Sequence, residues 1–184
     1  MFNKTLLQRR ILPIVVILLL TIFCIKFASG DEIYPSKISN EEFDCLVENI
    51  YHEAGGESMR GKIAVGVVTI NRTKDDRYPR SICGVVKQGP INKWHWEQRQ
   101  AIVPIKHRCQ FSWWCDGKKD RVDYGSLKYY DSVIAARKVL SGNYDDLVGG
   151  ATHYHAEYVK PEWADRLIRI VQIDSHIFYK YYKI

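Results

Sequence analysis

The first thirty residues constrain the fold most, because they decide how much of the chain folds and in which compartment. Residues 1–10 carry three basic side chains and no acid, an apolar run extends from Ile11 to Ile25, and small residues end the segment at 28–30. This order is typical of a secretory signal. As a helix the run would span about 22 Å, short of the roughly 30 Å hydrocarbon core of a bilayer. We predict a cleaved signal peptide or a retained signal anchor over residues 1–30.

The remainder is large enough for one domain with its own core. Residues 31–40 are predicted to be a short linker and residues 41–184 to be the folded domain. Four of the 27 Lys and Arg residues and none of the 21 Asp and Glu residues lie in the first thirty, which leaves a net charge of about +2. The high pI therefore comes mainly from the basic residues of the predicted signal segment, which set its orientation in the membrane. A nearly neutral domain is not expected to bind nucleic acid.

Four cysteines remain once Cys24 is assigned to the signal segment. An even set in an oxidising compartment predicts two disulfides, and the sequence leaves all three pairings open. Zinc ligation by the last two is an alternative, although their spacing is poor for a zinc knuckle. The disulfide candidates are Cys45, Cys83, Cys109 and Cys115.

Hydrophobic periodicity predicts helices first and a few strands late. A capping box at Ser39 and Glu42 precedes a helical stripe that ends at Gly55-Gly56. Further helices are predicted from Ser58 or Met59 to about Arg72 and from about Leu127 to Leu140, and a long irregular stretch rich in Trp, Gln and Lys is predicted to begin at Gly89-Pro90. From Ala151 the period changes to two, and a segment at 166–173 is predicted to pair with this strand. The pattern predicts an α+β fold, mainly helical with a small antiparallel strand region near the C-terminus.

Glu53 is the first chemical anomaly, because its carboxylate falls on the apolar stripe of the first helix, three residues after Ile50. Glycosidic cleavage needs a protonated acid at the leaving oxygen, and apolar or aromatic surroundings keep a carboxylic acid protonated near neutral pH. A chain with five Trp and twelve Tyr can supply such surroundings. The alternative is a glutamate at a frayed helix end that faces water.

Four blocks in order resemble the SleB/CwlJ-type cell-wall hydrolases. They are IYHEAGGESMRGKIAVGVVTINR at 50–72, Tyr78-Pro79 with ICGVV at 82–86, CQFSWWCDG at 109–117, and residues 151–164 followed by HIFY at 176–179. The resemblance covers about residues 41–182. It implies that residues 41–184 form a lysozyme-like catalytic domain acting on peptidoglycan glycan strands, at the MurNAc–GlcNAc β-1,4 bond and without a cofactor.

The resemblance assigns the general acid to Glu53 and the second acidic position to Glu57. Glu57 is predicted to bind substrate or, alternatively, to bond backbone amides at the start of the next helix. No second carboxylate stands at an obvious position, and Glu97, Asp116 and Glu157 are candidates only by default. A lytic transglycosylase needs one acid, which then acts as base on the sugar's own 6-hydroxyl, so this reaction is preferred to hydrolysis.

Two further blocks are predicted to line the substrate cleft. Both come from the motifs that resemble the family, and core packing is the alternative for the tryptophans. The predicted substrate-binding residues, besides Glu57, are Gln110, Phe111, Ser112, Trp113, His153, Tyr154 and His155.

Two rival functions remain open at this stage. On a strand, His153 and His155 share a face and, with His52 or His176, could hold Zn²⁺ in an amidase that cuts the MurNAc–L-alanine bond. A non-catalytic wall-binding module would also suit the aromatic stretch between Trp94 and Trp114.

The predicted location is outside the cytoplasm. The protein would be periplasmic or would be anchored to the outer face of the inner membrane through residues 11–29. A phage lysis enzyme, an endolysin, would show the same layout.

Overall fold

A computed structural model describes residues 38–182 of the chain. Within that span no helix combines the length and apolarity needed to cross a bilayer. The predicted signal segment and most of the predicted linker lie outside the described residues, so the domain boundaries remain predictions. The α-helices of residues 38–182 are α1 Asn40–Ala54, α2 Met59–Thr73, α3 Ile82–Val86, α4 Lys93–Arg99 and α5 Leu127–Leu140.

The start of α1 differs from a complete capping box. The Ser39 hydroxyl accepts the Glu42 amide at 3.3 Å, as predicted. The Glu42 carboxylate does not return to Ser39, however, and instead accepts the amides of Ile82 and Cys83 at the start of α3. A carboxylate at a helix N-terminus satisfies free amides and complements the helix dipole, so Glu42 ties α3 to α1.

Helices α1, α2 and α5 pack against one another around the main core. Gly66 lies at their closest approach, because a Cβ at this position would stand 2.8 Å from Val139 Cγ2 and 3.0 Å from Ile50 Cδ1. Gly55 also serves a close approach: its φ of −61° is right-handed, so it does not end α1 in the left-handed conformation expected for a glycine there. A Cβ on Gly55 would collide with the Lys128 side chain and stand 2.5 Å from the Tyr51 carbonyl oxygen.

A three-stranded antiparallel sheet follows the helices, with strands β1 His153–Ala156, β2 Ile168–Ile173 and β3 His176–Lys180. The strand order is β1-β3-β2, so the predicted pairing of the first two strands is wrong. The short turn after β2 folds β3 back onto it, and β3 then offers its other edge to β1, with Tyr154 opposite Phe178.

Both predicted disulfides are present. Cys45–Cys83 joins α1 to α3, and Cys109–Cys115 closes the loop that contains a short 3₁₀ helix at Ser112–Cys115. The stretch predicted to be irregular contains α4, a two-turn helix capped by the Asn92 side chain. None of the seven residues of α4 is buried, so the sequence of this helix has no apolar periodicity from which it could be predicted.

Candidate active site

Glu53 lies in the last turn of α1 at the edge of the main core. Its Oε2 accepts a hydrogen bond from the Tyr154 hydroxyl at 3.0 Å. The side chain remains partly exposed, so a ligand can reach it. Desolvation by the surrounding protein raises the pKa of Glu53, and the Tyr154 hydrogen bond and the Arg72 charge partly oppose that rise. The carboxyl group is therefore biased towards the protonated acid.

Tyr154 stands in the middle of β1 on the face that meets the helices. Its ring packs against Phe178 and His176 at centroid distances of 5.6 and 5.1 Å. Burial and the neighbouring Glu53 charge raise the pKa of Tyr154 well above its usual value, so the phenol keeps its proton. Because this proton is donated to Oε2 of Glu53, the other carboxyl oxygen is left to carry the acidic proton.

Arg72 is a buried cation beside this pair. Its Nε donates to the Thr152 carbonyl oxygen at 2.8 Å, and its guanidinium lies over the rings of Phe111 and Tyr78 at 4.8 and 5.3 Å. Among the ion pairs of residues 38–182 none includes Arg72, and its buried Nη1 has no hydrogen-bond partner. A buried charge without a salt bridge is costly. The carboxyl group whose pKa Arg72 lowers is that of Glu53.

A chain of buried polar groups joins α1, α2 and the QFSW block one turn before Glu53. The Trp113 indole donates to Asn49 Oδ1 at 3.0 Å, and Asn49 Nδ2 donates to Thr69 Oγ1 at 3.1 Å. The His52 ring stacks on Trp113 with centroids 4.4 Å apart. Desolvation lowers the pKa of His52, so the imidazole next to Glu53 is neutral at pH 7.

The QFSW block alternates between the surface and the core. Phe111 and Trp113 are buried, whereas Gln110 and Ser112 are exposed. Phe111 and Trp113 thus hold Arg72 and His52 in place by ring contacts. Gln110 and Ser112 are the members of the block whose polar groups are open to a ligand.

The structure does not bring the two predicted cleft histidines to Glu53. His153 and His155 project from the face of β1 opposite to Tyr154 and contact Trp163 at 5.3 and 5.6 Å. Both nitrogens of His155 are engaged: Nδ1 donates to the Ala156 carbonyl oxygen, and Nε2 accepts from the Tyr179 hydroxyl at 3.0 Å. Burial lowers the pKa of His153 to about 4.

These histidines do not fit the zinc site of the amidase alternative. Both donor atoms of His155 are used within the protein, and His153 Nδ1 lies 3.1 Å from the Thr152 hydroxyl. No group of three or more His, Cys, Asp or Glu side chains arranged to hold a metal occurs between residues 38 and 182.

Glu57 is engaged in a loop-to-hairpin contact. Its carboxylate accepts the Ser175 amide and hydroxyl at 3.2 and 2.6 Å. Next to it, Asp174 accepts the Ser58 amide and hydroxyl at 3.0 and 2.6 Å. Glu57 therefore bonds a backbone amide, as its alternative role predicted, but the amide lies in the β2–β3 turn and not in α2.

The carboxylates named by default have other partners. Glu157 accepts from Gln172 Nε2 at 2.7 Å, Asp116 accepts the Lys118 amide at 2.7 Å, and Glu97 lies on the exposed helix α4. In the described part of the chain, none of the groups that shift the pKa of Glu53 is a carboxylate.

Two cavities of the described region lie away from Glu53. One, of about 480 Å³, lies among the ends of α1, α2, α3 and α5 and includes Ile38 and Leu140. The other, of about 560 Å³, is polar, with Arg77, Lys180 and Thr152 in its wall. Neither includes Glu53.

Arg72 and Asn49 were absent from the predicted site. Each is a polar residue at a buried position of a helix, and a polar residue within the apolar repeat of a helix is the sequence feature that identified Glu53. Applied to every helix, this test would have found Asn49 among Leu46 and Ile50. Arg72 would still look like a solvated cation in a last helical turn.

A family whose sequence model is described as Cell Wall Hydrolase matches residues 56–179. The spore cortex-lytic enzyme of Bacillus subtilis (strain 168) is 35% identical over 52 residues, which cover 28% of this chain and 17% of that protein. The spore cortex-lytic enzyme of Halalkalibacterium halodurans is 25% identical over 146 residues, which cover 78% of this chain and 36% of that protein. The chain thus spans well under half the length of these relatives.

Two solved structures share the fold. The catalytic domain of the germination-specific lytic transglycosylase SleB from Bacillus anthracis superposes with a TM-score of 0.52 and 20% identity, covering 79% of this chain and 99% of that domain. The catalytic domain of the Bacillus cereus SleB protein gives 0.50 and 20%, covering 83% and 99%. The predicted lysozyme-like α+β fold class is confirmed.

Proposed function

The chain belongs to the cell wall hydrolase family, and we propose that it is a peptidoglycan lytic transglycosylase that cleaves the MurNAc–GlcNAc β-1,4 bond, with Glu53 as its single acid and base. The observation that carries this proposal is the Glu53–Tyr154 pair. It combines a carboxyl group of raised pKa with a phenol that keeps its proton.

In the first step protonated Glu53 would donate its proton to the glycosidic oxygen as the C1–O bond of MurNAc breaks. The positive charge that develops at C1 and the ring oxygen is that of an oxocarbenium-like transition state. Tyr154 orients the carboxyl group through Oε2, so the opposite oxygen faces the leaving group. The proton leaves as the leaving oxygen gains negative charge, which is general acid catalysis.

In the second step the carboxylate would take the proton of the MurNAc 6-hydroxyl while that oxygen attacks C1. The product is a 1,6-anhydro sugar, and Glu53 regains its proton. The Tyr154 hydroxyl and the Arg72 charge both stabilise the carboxylate between the steps. The absence of another carboxylate among the groups that shift the Glu53 pKa in residues 38–182 supports this single-acid route over a two-carboxylate hydrolysis.

Substrate contacts would come from exposed polar groups of the QFSW block. Gln110 and Ser112 are exposed and would offer their amide and hydroxyl groups to sugar hydroxyl or acetamide groups. Phe111, Trp113 and Glu57 support the site from within the fold. A wall substrate lies outside the cytoplasm, in agreement with the predicted export through residues 1–30. Periplasmic release and anchoring to the inner membrane are both consistent with this proposal.

The test is a digest of purified peptidoglycan analysed by mass spectrometry, with the parent protein, Glu53→Gln and Glu41→Gln. Loss of a general acid should lower the rate by about 10²–10⁴-fold. Glu41 is an exposed acid on the same helix, so Glu41→Gln should keep the parental rate. Thermal unfolding of Glu53→Gln should stay close to that of the parent at pH 7, because Gln keeps the size of the side chain and an oxygen that can accept the Tyr154 hydroxyl.

The products distinguish the alternatives. Anhydro-muropeptides from the parent and not from Glu53→Gln would support the transglycosylase. Reducing MurNAc ends would keep Glu53 as the acid but would make the protein a hydrolase. Free stem peptides that disappear with chelator would overturn the proposal.

A further inference from the structure

An exposed arm separates two of the blocks that resemble the family. We define the arm as residues 87–108, between the block that ends at Val86 and the block that begins at Cys109. Its two halves run side by side: Asn92 N donates to the Val103 carbonyl oxygen, Ile105 N to Pro90, and Gln110 N to Gln88 at its root, all at 2.8–2.9 Å. Helix α4 forms its tip.

The arm exposes large apolar side chains that contribute nothing to either apolar cluster of the domain. Trp94 is 55% exposed and Ile102 is 68% exposed, and Trp96 and Ile91 are exposed as well. Exposure of four large apolar side chains within one short segment is more than the scattered single exposure that is normal on a protein surface, so these side chains point to a ligand. Trp is also the residue type most enriched among binding hot spots.

The arm also concentrates the positive charge of the exported part of the chain. It carries five Lys and Arg residues and one acid, Glu97, a net charge of about +4. The rest of residues 31–184 is slightly negative, since the whole segment has about +2. This asymmetry predicts an anionic partner, attracted to the arm and not to the domain as a whole.

The root of the arm adjoins the Glu53 site. Gln110, which pairs with Gln88 at the root, is followed directly by Phe111, whose ring lies under the Arg72 guanidinium. Lys87, the first residue of the arm, lies over the Trp114 ring at 5.5 Å. The root of the arm is therefore continuous with the segment that packs on Arg72, the cation whose charge lowers the pKa of Glu53.

The geometry of α4 favours a polymer over a lipid surface. Trp94 and Trp96 are two residues apart, which places them about 200° apart around a helix axis. A helix that lies in a bilayer needs one continuous apolar face, whereas separate rings on different sides suit a strand of sugar units. Peptidoglycan also carries stem-peptide carboxylates that complement the basic side chains.

We propose that the arm is an accessory binding surface for peptidoglycan, with Trp94 and Trp96 contacting the glycan and Lys93 and Arg99 contacting stem-peptide carboxylates. This inference rests on the proposed function for the identity of the polymer. It assigns the arm to holding the wall and not to the bond-breaking step.

The experiment is a pelleting assay with purified sacculi and the full chain in mild detergent. All proteins carry Glu53→Gln, and soluble muropeptide release is measured in parallel, so that loss of sacculi through residual cleavage is separated from loss of binding. The Trp94→Ala, Trp96→Ala double variant should bind about tenfold more weakly or worse. The Lys93→Gln, Arg99→Gln double variant should bind more weakly at low salt and converge with the parent at high salt.

The matched control is Leu127→Ala with Tyr158→Ala, two side chains more than 80% exposed that lie outside the arm. It should bind sacculi as the parent does. Unchanged binding of sacculi by both arm variants would overturn the proposal, even if the protein proves to be a transglycosylase.

A membrane role has its own readout. All five Trp residues lie between 94 and 163, so the apolar run at 11–25 contributes no tryptophan signal. In the full chain reconstituted into phosphatidylglycerol vesicles, quenching by brominated lipid that disappears in Trp94→Ala, Trp96→Ala would assign the arm to the bilayer. That result, with sacculus binding unchanged, would also overturn the proposal.

Discussion

Opposing influences on one carboxyl group define the chemistry at the residue scale. Desolvation raises the pKa of Glu53, whereas the Tyr154 hydroxyl and the Arg72 charge lower it. An acid that must donate a proton and then accept one works best when its pKa is near the working pH. In the proposed mechanism Arg72 would therefore be a positioning residue that sets this balance through its charge, without contacting the reacting atoms.

Replacement of Arg72 by Met should raise the pKa of Glu53, because the cation that stabilises the carboxylate is lost. The protonated acid then persists to higher pH, so the basic limb of the kcat/KM profile should move towards higher pH. The measurement is initial rate on soluble glycan fragments across pH 4 to 9. Arg72→Lys keeps the charge and should leave the limb closer to its parental position.

A purely structural role for Arg72 predicts something else. Its contacts with Thr152 and Phe111 also support the fold, so both variants could lose rate uniformly. A lower rate at every pH with an unmoved basic limb in Arg72→Met would contradict the electrostatic role. The pH profile separates the two roles because packing does not titrate.

At the scale of the elements, the close packing of α1, α2 and α5 can be tested by substitution of Gly66. A Cβ in Gly66→Ala would approach Val139 Cγ2 to 2.8 Å and Ile50 Cδ1 to 3.0 Å. Overpacking of a core typically costs about 1–3 kcal/mol, and the better helix propensity of Ala returns up to about 1 kcal/mol. The free energy of unfolding should therefore fall by about 1 kcal/mol, measured by urea denaturation.

Gly56→Ala is the matched control, because a Cβ there would meet no atom within 4 Å. It should leave the free energy of unfolding within about 0.5 kcal/mol of the parent. If Gly66→Ala proved as stable as Gly56→Ala, the three helices would have to separate more easily than their packing indicates.

The three long helices α1, α2 and α5 were predictable because the apolar stripe that defines each one is local in sequence. Ser39 and the limits of α1, α2 and α5 follow from such signals. The strand order was not predictable, since β3 is a short segment whose place between β1 and β2 depends on partners elsewhere. The hydrogen bonds of the Glu42 carboxylate were not predictable for the same reason, because their donors, the amides of Ile82 and Cys83, lie about forty residues away. At the site, Glu53 stood out by its stripe, but its partner Tyr154 lies 101 residues further on.

At the scale of the whole molecule, the two faces of the small sheet pack against different parts of the domain. Tyr154 and Phe178 face the helical core and the acid. His153, His155 and Tyr179 face a second cluster built on Trp163. The Glu57–Ser175 contact fixes the hairpin to the loop after α1. The position of Tyr154 at Glu53 therefore depends on the stability of the sheet as a unit.

Acid should weaken that unit through His153. Its pKa is about 4 in the folded protein, because burial and the nearby Arg72 and Arg77 disfavour the cation, whereas an unfolded histidine has a pKa of about 6.5. Between these values the unfolded state binds more protons, so the free energy of unfolding falls as the pH decreases from about 6.5 to 4 and the contribution is complete below 4. Because the ring is partly exposed, the loss should be about 1–2 kcal/mol rather than the full value of the shift.

His153→Gln should remove this part of the pH dependence, as measured by urea denaturation at pH 7.5, 6, 5 and 4. The variant should lose less stability than the parent over that range, although its stability at pH 7.5 is lower because of lost ring contacts with Trp163 and Tyr181. His52 and His176, whose pKa values are also lowered, should retain the remainder of the slope. His107→Gln, at an exposed histidine outside the sheet, should behave as the parent. Equal slopes for His153→Gln and the parent would mean that His153 is protonated in the folded sheet without cost, and acid sensitivity would then have to arise in the helical core.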